Sequence, residues 1–457
     1  MIALSVKEIA EACAGRIEGA DPDTVVSSVV TDSRAASLGA LFFALQGEHA
    51  DGHAFAGDAL ARGAAAVVAR EDGGDIGAAI RVRDPLVAMS ALAETVRSRL
   101  RATTIAVTGS SGKTGTKDLT AAACATERAT AAAKASYNNA IGVPLTIFEA
   151  DQDTEVLVVE VGSRGIGHIS SLAAMVRPDV AVITNIGPAH IGMFGSLGNT
   201  ARAKGELVEM LQPEGTAVLN ADDERVDAMA SRTRAHVVRF GRAASADVRA
   251  EEISLDDVAR ASFTLLADGE RARVSLRIPG EHMVSNALAA AAAARAAGVS
   301  LSGAAEGLSR AQGSEWRMEL HDAGGRRILN DAYNSNPDSA AAALKALVAM
   351  SHGRPSWAVL GYMAELGPEE TAAHDRIGRL AVRLGVGHLV TVGEQARGIH
   401  EAARLEGMFG GEAIFAPTAD EAITVLRARM EPDAVVLVKA SRAAGLEKIA
   451  LALEVSE

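Results

Sequence analysis

The sequence predicts an α/β protein of three domains, the second and third built on mostly parallel sheets. Three observations predict it. The chain has 457 residues, and at about 150 residues per domain that length points to roughly three, well beyond the ~250–300 residues one core serves. Beyond residue 99, short apolar runs rich in β-branched residues alternate with amphipathic helical stretches, the spacing of βαβ units. That alternation breaks after residue 247 and resumes near 321, which divides the chain into 1–98, 99–320 and 321–457.

In order, residues 1–98 carry strand-like pieces at Val25–Val30, Ala40–Ala44 and Ala64–Ala69 among helix-like ones, and close on the helical pattern Pro85–Arg99. Thr103-Thr-Ile-Ala-Val-Thr108 then reads as a buried strand running into glycines. Further strands are expected at Glu155–Val161, Asp179–Asn185, Thr216–Asn220 and His236–Phe240. Over 247–278 the pattern becomes short alternating strands, expected as an antiparallel edge, and an alanine-rich helix follows over 282–297. The last alternation places strands at Arg327–Asp331, Trp357–Leu360, His388–Val392 and Ala434–Lys439, so the second and third domains are expected to look alike.

Composition removes several function classes. A formal charge of −13 without clustered Lys and Arg argues against nucleic acid as a partner. Cys13 and Cys124 have no CxxC or Cys/His context, which fits core thiols in a reduced compartment. Lys7, Glu8 and Glu11 interrupt the first apolar stretch, so it does not read as a signal peptide, and the alanine tract 287–297 is short and broken by Arg295. A cytoplasmic protein without membrane insertion is expected. Only 3% of residues are aromatic, so each Tyr and Trp position carries weight.

The strongest chemical signal is Thr108-Gly-Ser-Ser-Gly-Lys-Thr114 between a strand and a helix. Gly109 and Gly112 let the backbone N–H groups of this loop, with Ser110 and Ser111, turn inward around phosphate oxygens, and the helix N-terminus adds partial positive charge. Lys113 would reach the β- and γ-phosphates of ATP and the Thr114 hydroxyl would coordinate Mg²⁺. Val107 stands where the longer form of this loop has its first glycine. Magnesium needs further oxygen ligands, and Glu160, which ends an apolar strand, is suited to supply one. His190 follows the next strand on a Gly/Pro turn and reads equally as a ligand or a structural residue. Lys204 and Glu206 read, from pattern alone, as a solvated helical face. Asn286 could be a cap, a turn residue or a base-recognising amide. Arg317, at the second boundary, is placed to close on an ATP γ-phosphate. Asp331-Ala-Tyr-Asn-Ser-Asn-Pro337 is a turn-and-cap device, a ligand loop, or both. Together these residues describe a Mg-ATP enzyme with its site between domains; no Ser/His/Asp triad, zinc spacing or dinucleotide fingerprint competes.

With Tyr137-Asn-Asn-Ala-Ile-Gly-Val-Pro144, Glu160-Val-Gly-Ser-Arg-Gly-Ile-Gly167, Asn185–His190, Gly280–Asn286, Trp316-Arg-Met318, Asp331–Pro337 and Gly361-Tyr-Met-Ala-Glu-Leu-Gly367, the loop resembles the Mur ligase family. Thr31-Asp-Ser-Arg34 and Leu45–His53 extend the likeness to the first domain, and Lys439-Ala-Ser-Arg442 extends it to the last. Within the family, Asp331–Pro337 and Tyr137–Pro144 match the members that add D-alanyl-D-alanine to UDP-N-acetylmuramoyl-tripeptide in peptidoglycan precursor synthesis. The rivals are a diaminopimelate- or lysine-adding ligase, a folylpolyglutamate synthase-like ligase and, from another class, a nucleotide-switch binding protein.

The resemblance implies an N-terminal UDP-binding α/β domain, a central P-loop ATPase domain and a C-terminal Rossmann-like α/β domain on the amino-substrate side. It implies a monomer that phosphorylates the tripeptide carboxylate with ATP and forms the amide through an acyl phosphate and a tetrahedral intermediate. Lys113, Lys204, His190 and Arg317 are then catalytic. Thr108–Thr114, Asn286, Arg317, Asp331 and Asn336 contact ATP, and Ser33, Arg34, Gly47, Asn138, Asn139, Ser163 and Arg164 contact the muramoyl substrate. Thr114 and Glu160 hold a first Mg²⁺, while His190 and a carbamylated Lys204 hold a second metal. Four positions depart from the family pattern: Gly115 for a second hydroxyl residue, Met283 for a frequent Asn, Tyr362 for an acidic residue beside the retained Glu365, and Ala440 for a Gly. Because Tyr137, Tyr333, Tyr362 and Trp316 all fall in motif segments, their rings are expected around the ligand cleft.

Overall fold

The computed structural model describes residues 1–47, 50–133 and 135–454. Within these the strands form three main sheets and a two-stranded ribbon. The first sheet has the order Arg16–Glu18, Ala79–Val82, Ala66–Arg70, Ala40–Phe43, Ser28–Val30, parallel except at the Arg16–Glu18 edge. The expected strand Val25–Val30 is two strands. Val25–Val26 pairs antiparallel with Leu4–Ser5, whereas Ser28–Val30 pairs parallel with Ala40–Phe42. Ser27, whose amide donates to the Gly39 carbonyl at 3.2 Å, is where the chain changes partners.

The central sheet has nine strands in the order Glu270–Pro279, Arg260–Ala267, Val248–Leu255, His236–Gly241, Thr216–Asn220, Val180–Ile183, Thr103–Thr108, Val156–Glu160, Thr130–Ala132. The first three strands in that order run antiparallel to one another and form the expected edge, although at 8 to 10 residues they are not short. The remaining pairings are parallel. The third sheet has the order Glu319–Ala323, Arg326–Asp331, Val435–Lys439, Ser356–Leu360, His388–Val392, Ala413–Ala416, parallel but for its first pair. Strands such as Val180–Ile183 and Val435–Lys439 are buried throughout, because helices cover both faces of a parallel sheet.

Packing joins the units. The helix Met283–Ala296 is buried on every side from Ala287 to Ala294 and packs against the helix Lys113–Cys124. Alanine suits it there, since a small side chain lets helix and sheet backbones approach without losing helix propensity. One apolar cluster runs from the central sheet (Ile105, Val158, Val182) through this helix to Leu344, Leu347 and Leu437 of the third unit. A second joins Val6, Ile9, Met89 and Leu92 of the first unit to Leu157 and Val159. Each fully buried aliphatic side chain contributes about 1.5–3 kcal/mol. Cys13 and Cys124 are buried, unpaired thiols within these clusters, and burial pushes both up to about 12.

Strand register brings the chemically distinctive residues together at two places. Glu160 is the partner of Val107 and Ile183 the partner of Thr108, so three parallel strands end side by side at one edge of the sheet. Asp331 is the partner of Lys439 in the third sheet. In open α/β sheets, ligands lie beyond such carboxyl-terminal strand ends.

Candidate active site

Thr103–Thr108 delivers the loop Gly109–Gly112, and the helix Lys113–Cys124 starts directly after it. Gly112 has φ +78°, and a Cβ there would stand 2.5 Å from Asn286 Oδ1, so both backbone and space call for glycine. The loop is held from the neighbouring strand end. Asn185 Oδ1 accepts from the amides of Ser110 (3.1 Å) and Ser111 (2.9 Å), and its Nδ2 donates to Ser111 Oγ at 2.6 Å. The Thr184 hydroxyl donates to the Ser111 carbonyl at 2.7 Å, and Ser110 Oγ bonds both N–H and C=O of Gly187. Sequence reading assigned no such role to Asn185; its only signal was an Asn just after a strand, two residues before a glycine. Lys113 Nζ folds back to the carbonyls of Gly109 (2.8 Å) and Ser110 (3.3 Å), and desolvation lowers its pKa.

Beside the loop lies a connected polar cluster. Thr114 Oγ1 donates to Glu160 Oε2 at 2.8 Å, and Asn138 Nδ2 donates to Glu160 Oε1 at 2.7 Å. Ser136 Oγ lies 2.9 Å from Thr114 Oγ1 and accepts from Arg317 Nη2 at 2.7 Å. The Arg317 guanidinium stacks 4.0 Å from the Tyr333 ring centroid, while its buried Nε has no partner among the described residues. Glu160 is 1% exposed, yet no Lys or Arg among the described residues forms an ion pair with it. A buried carboxylate held only by neutral donors is suited to a divalent cation. Among the described residues no three His, Cys, Asp or Glu side chains cluster as a metal site. A cation here would therefore share its coordination with a hydroxyl and with oxygens of a bound phosphate.

Lys204 overturns the solvated-face expectation: it is 1% exposed and lies 5.9 Å from the Phe194 ring centroid. The helix Leu197–Glu209 is buried continuously from Ala203 to Val208, so it has no simple polar stripe there. Burial, and then the charge of Lys113, put the Lys204 pKa well below the usual lysine range. Glu206, two residues on, accepts from the amides of Gly167 (2.6 Å) and Ser170 (3.0 Å), a structural task at the start of the helix His168–Val176. His190 contacts Glu365 through Nδ1; desolvation and then Lys113 lower its pKa against the pull of that carboxylate.

These groups open into one cleft of about 1030 Å³. Ser110–Thr114, Asn138, Asn139, Glu160, Ser163, Arg164, His190, Lys204, Asn286, Arg317, Asp331 and Asn336 all line it. Thr108 and Gly109 do not; Thr108 is buried beneath the loop. Ser33, Arg34 and Gly47 lie in the first unit and do not line it either, and Arg34 is exposed and ion-paired to Asp32 at 2.6 Å. In the Leu45–His53 motif, Glu48 and His49 lie outside the described residues.

Some side chains already have partners. Asp331 accepts from Lys439 Nζ at 2.5 Å and from the Met318 amide at 3.1 Å, so in this structure its carboxylate serves a buried ion pair. Lys439 is 2% exposed and also donates to the Asn334 carbonyl at 2.8 Å. Asn336 Oδ1 accepts from the Ser339 amide at 2.9 Å and caps the helix Pro337–Ser351, which realises the cap alternative while leaving its amide nitrogen beside the cleft. Asn286 packs on Gly112 and Gly115 and donates to Met283 Sδ at 3.4 Å. The aromatic expectation holds in part. Tyr333 lines the cleft, and Trp316 stacks on the cleft residue Arg442 at 4.1 Å. Tyr362 packs against the apolar cluster and Tyr137 does not line the cleft.

Known proteins share this architecture. Family models match in three blocks: the Mur ligase family catalytic domain over residues 25–107, the Mur ligase middle domain over 107–294, and the Mur ligase glutamate ligase domain over 316–442. The UDP-N-acetylmuramoyl-tripeptide–D-alanyl-D-alanine ligase of Mycobacterium bovis is 42% identical across 99% of this chain and 98% of its own. Its Escherichia coli counterpart is 35% identical across 99% of both. A crystal structure of MurF from Acinetobacter baumannii superposes with a TM-score of 0.86 at 30% identity, covering 99% of each chain.

Proposed function

The chain belongs to the Mur ligase family, and on that premise we propose that it is the ATP-dependent ligase that joins D-alanyl-D-alanine to UDP-N-acetylmuramoyl-tripeptide. One observation carries the reading. The phosphate-binding loop, the Thr114–Glu160 pair, buried Lys204 and the stacked Arg317 share one cleft with Asn138, Asn139, Ser163 and Arg164. The names of the curated relatives supply the substrates.

A carboxylate resists attack by an amine until one of its oxygens becomes a leaving group. In the proposed reaction a tripeptide carboxylate oxygen bonds to the γ-phosphorus of ATP as the bond to the β,γ-bridging oxygen breaks, giving ADP and an acyl phosphate. The dipeptide amine then adds to the acyl carbon. The tetrahedral intermediate collapses to the amide, expels phosphate and gives up the amine proton. The first step brings anion onto anion, so it needs positive charge concentrated at the γ-phosphate. Lys113 sits in the loop that would hold the phosphates, and the unpartnered Arg317 Nε is a donor awaiting an anionic oxygen. Asn138, Asn139, Ser163 and Arg164 would hold the muramoyl substrate, and Asn286 of the central unit and Asn336 of the third would meet ATP. Ser33, Arg34 and Gly47 would receive the UDP moiety.

Mg²⁺ suits the oxygen donors Thr114 and Glu160, and when bound it would neutralise phosphate charge. A second cation would take His190 and, once carbamylated, Lys204. The depressed pKa of Lys204 supports its carbamylation, because only a neutral amine adds to CO₂, releasing one proton as the carbamate forms. A cytoplasmic monomer that binds neither nucleic acid nor membrane fits this role. No helix among the described residues is long and apolar enough to cross a membrane.

The test is an incubation of the whole protein with ATP, Mg²⁺, UDP-N-acetylmuramoyl-tripeptide and D-alanyl-D-alanine. Phosphate release is expected to require both acceptor and dipeptide, with the pentapeptide product seen by mass spectrometry. Equal phosphate release without the tripeptide would support a nucleotide switch instead.

A further inference from the structure

We infer that Glu365 is a positioning residue for His190, and that it acts only while the third unit is docked on the central one. Its purpose rests on the ligase reading, but the contact itself does not. His190 and Glu365 lie 175 positions apart and come from different units, and the carboxylate meets the imidazole at Nδ1. A carboxylate accepts and does not donate, so the neutral ring carries its proton on Nδ1. That leaves Nε2 as the free lone pair for a ligand in the cleft that both residues line. A carboxylate behind a ligating histidine fixes the tautomer and ring orientation in this way.

The segment carrying Glu365 is held rigidly. The Met363 amide donates to His374 Nε2 at 2.9 Å, the Ala364 amide donates to Ser441 Oγ at 2.8 Å, and the Ser441 amide donates to the Tyr362 carbonyl at 3.1 Å. Met363 and Leu366 are buried on either side of Glu365. Both partners adopt left-handed backbone, Glu365 at φ +62° and His190 at φ +57°, which persists only where surroundings over-determine it. Across the seam, the Gly192 amide donates to the Glu365 carbonyl at 3.2 Å, and a Cβ on Gly192 would stand 2.7 Å from the Gly367 nitrogen. The seam therefore closes only because glycine faces glycine. Any separation there withdraws the carboxylate from His190, so docking of the third unit and orientation of His190 are one event. By linkage, whatever His190 binds favours the docked arrangement in return.

The test uses the full chain, ligand-free, with ¹⁵N-labelled histidine, and reads the His190 tautomer from two-bond ¹H–¹⁵N correlations assigned by their loss in His190→Asn. The wild type is expected to show the Nδ1–H form. Glu365→Gln, whose amide oxygen also accepts, is expected to keep it. Glu365→Ala and Gly192→Ala are expected to shift His190 towards Nε2–H, although Gly192→Ala removes no polar side chain. The Mg²⁺ concentration for half-maximal phosphate release is expected to rise about 10–100-fold in Glu365→Ala and far less in Glu365→Gln. Glu365 is half-exposed, so its replacement does not threaten the fold. An Nε2–H wild type, or an unchanged tautomer in Glu365→Ala or Gly192→Ala, overturns the inference. Failure of the ligase reading has a different signature: no pentapeptide from the wild type while the tautomer difference persists.

Discussion

Replacing Arg317 separates the chemistry from the fold. Its Nη2 donates to Ser136 at 2.7 Å and its guanidinium lies 4.0 Å from the Tyr333 ring centroid, while Nε is buried without a partner among the described residues. A hydrogen bond from a charged donor contributes about 1.5–3 kcal/mol and the stack about 0.5–2 kcal/mol. An unsatisfied buried donor costs about 1–3 kcal/mol, so these ground-state effects partly offset one another. Arg317→Ala is therefore expected to lower folding stability by only about 1–2 kcal/mol. Under the proposed function the orphan donor would meet developing phosphate charge in the transition state, and losing one such donor costs about 2.7–4 kcal/mol, or roughly 10²–10³ in kcat. Arg317→Lys keeps charge but loses the planar fork and the stack, and is expected to fall between. The assay is steady-state phosphate release at saturating ATP, tripeptide and dipeptide, with the urea midpoint as folding control. A kcat within about threefold of wild type, in a folded Arg317→Ala protein, would refute the reasoning.

Three further outcomes are expected from other parts of the molecule. Lys204→Ala is expected to lose turnover, regaining part of it with added short carboxylic acids but none with bicarbonate; normal turnover in this variant would remove the carbamate. Gly307→Ala would place a Cβ 2.2 Å from the Ala122 carbonyl oxygen, and at about 1–3 kcal/mol for overpacking a lower urea midpoint is expected; an unchanged midpoint would mean that the helices Leu301–Arg310 and Lys113–Cys124 separate freely. Burial raises Cys13 and Cys124 to about 12, so almost no thiolate exists at pH 8, and a disulfide reagent is expected to label neither in native protein and both after denaturation. Labelling of the native protein at pH 8 would place a thiol at the surface.

The legible part of the site was local. Gly109–Thr114 sits between its own strand and helix, and Glu160 interrupts an apolar run at the strand end, so neighbouring residues carried both signals. The illegible part joins distant positions. The bonds from Asn185 to Ser110 and Ser111 span 74 to 75 residues and depend on which strand lies beside Thr103–Thr108. Lys204 was misread because a polar residue on a helix looks the same in sequence whether the helix faces water or a second layer. Lys439 ends the strand Val435–Lys439, and only the strand order pairs it with Asp331. The fold class was readable because parallel strands buried on both faces leave uninterrupted apolar runs. The division of Val25–Val30 between two sheets was not, since both halves have the same composition.

The most direct test of carboxylate activation uses UDP-N-acetylmuramoyl-tripeptide carrying ¹⁸O in its terminal carboxylate. If the γ-phosphate passes to that carboxylate before the amine attacks, the bridging oxygen leaves with phosphorus, and the expected result is ¹⁸O-labelled inorganic phosphate in step with pentapeptide. Unlabelled phosphate formed alongside pentapeptide would contradict the acyl-phosphate route.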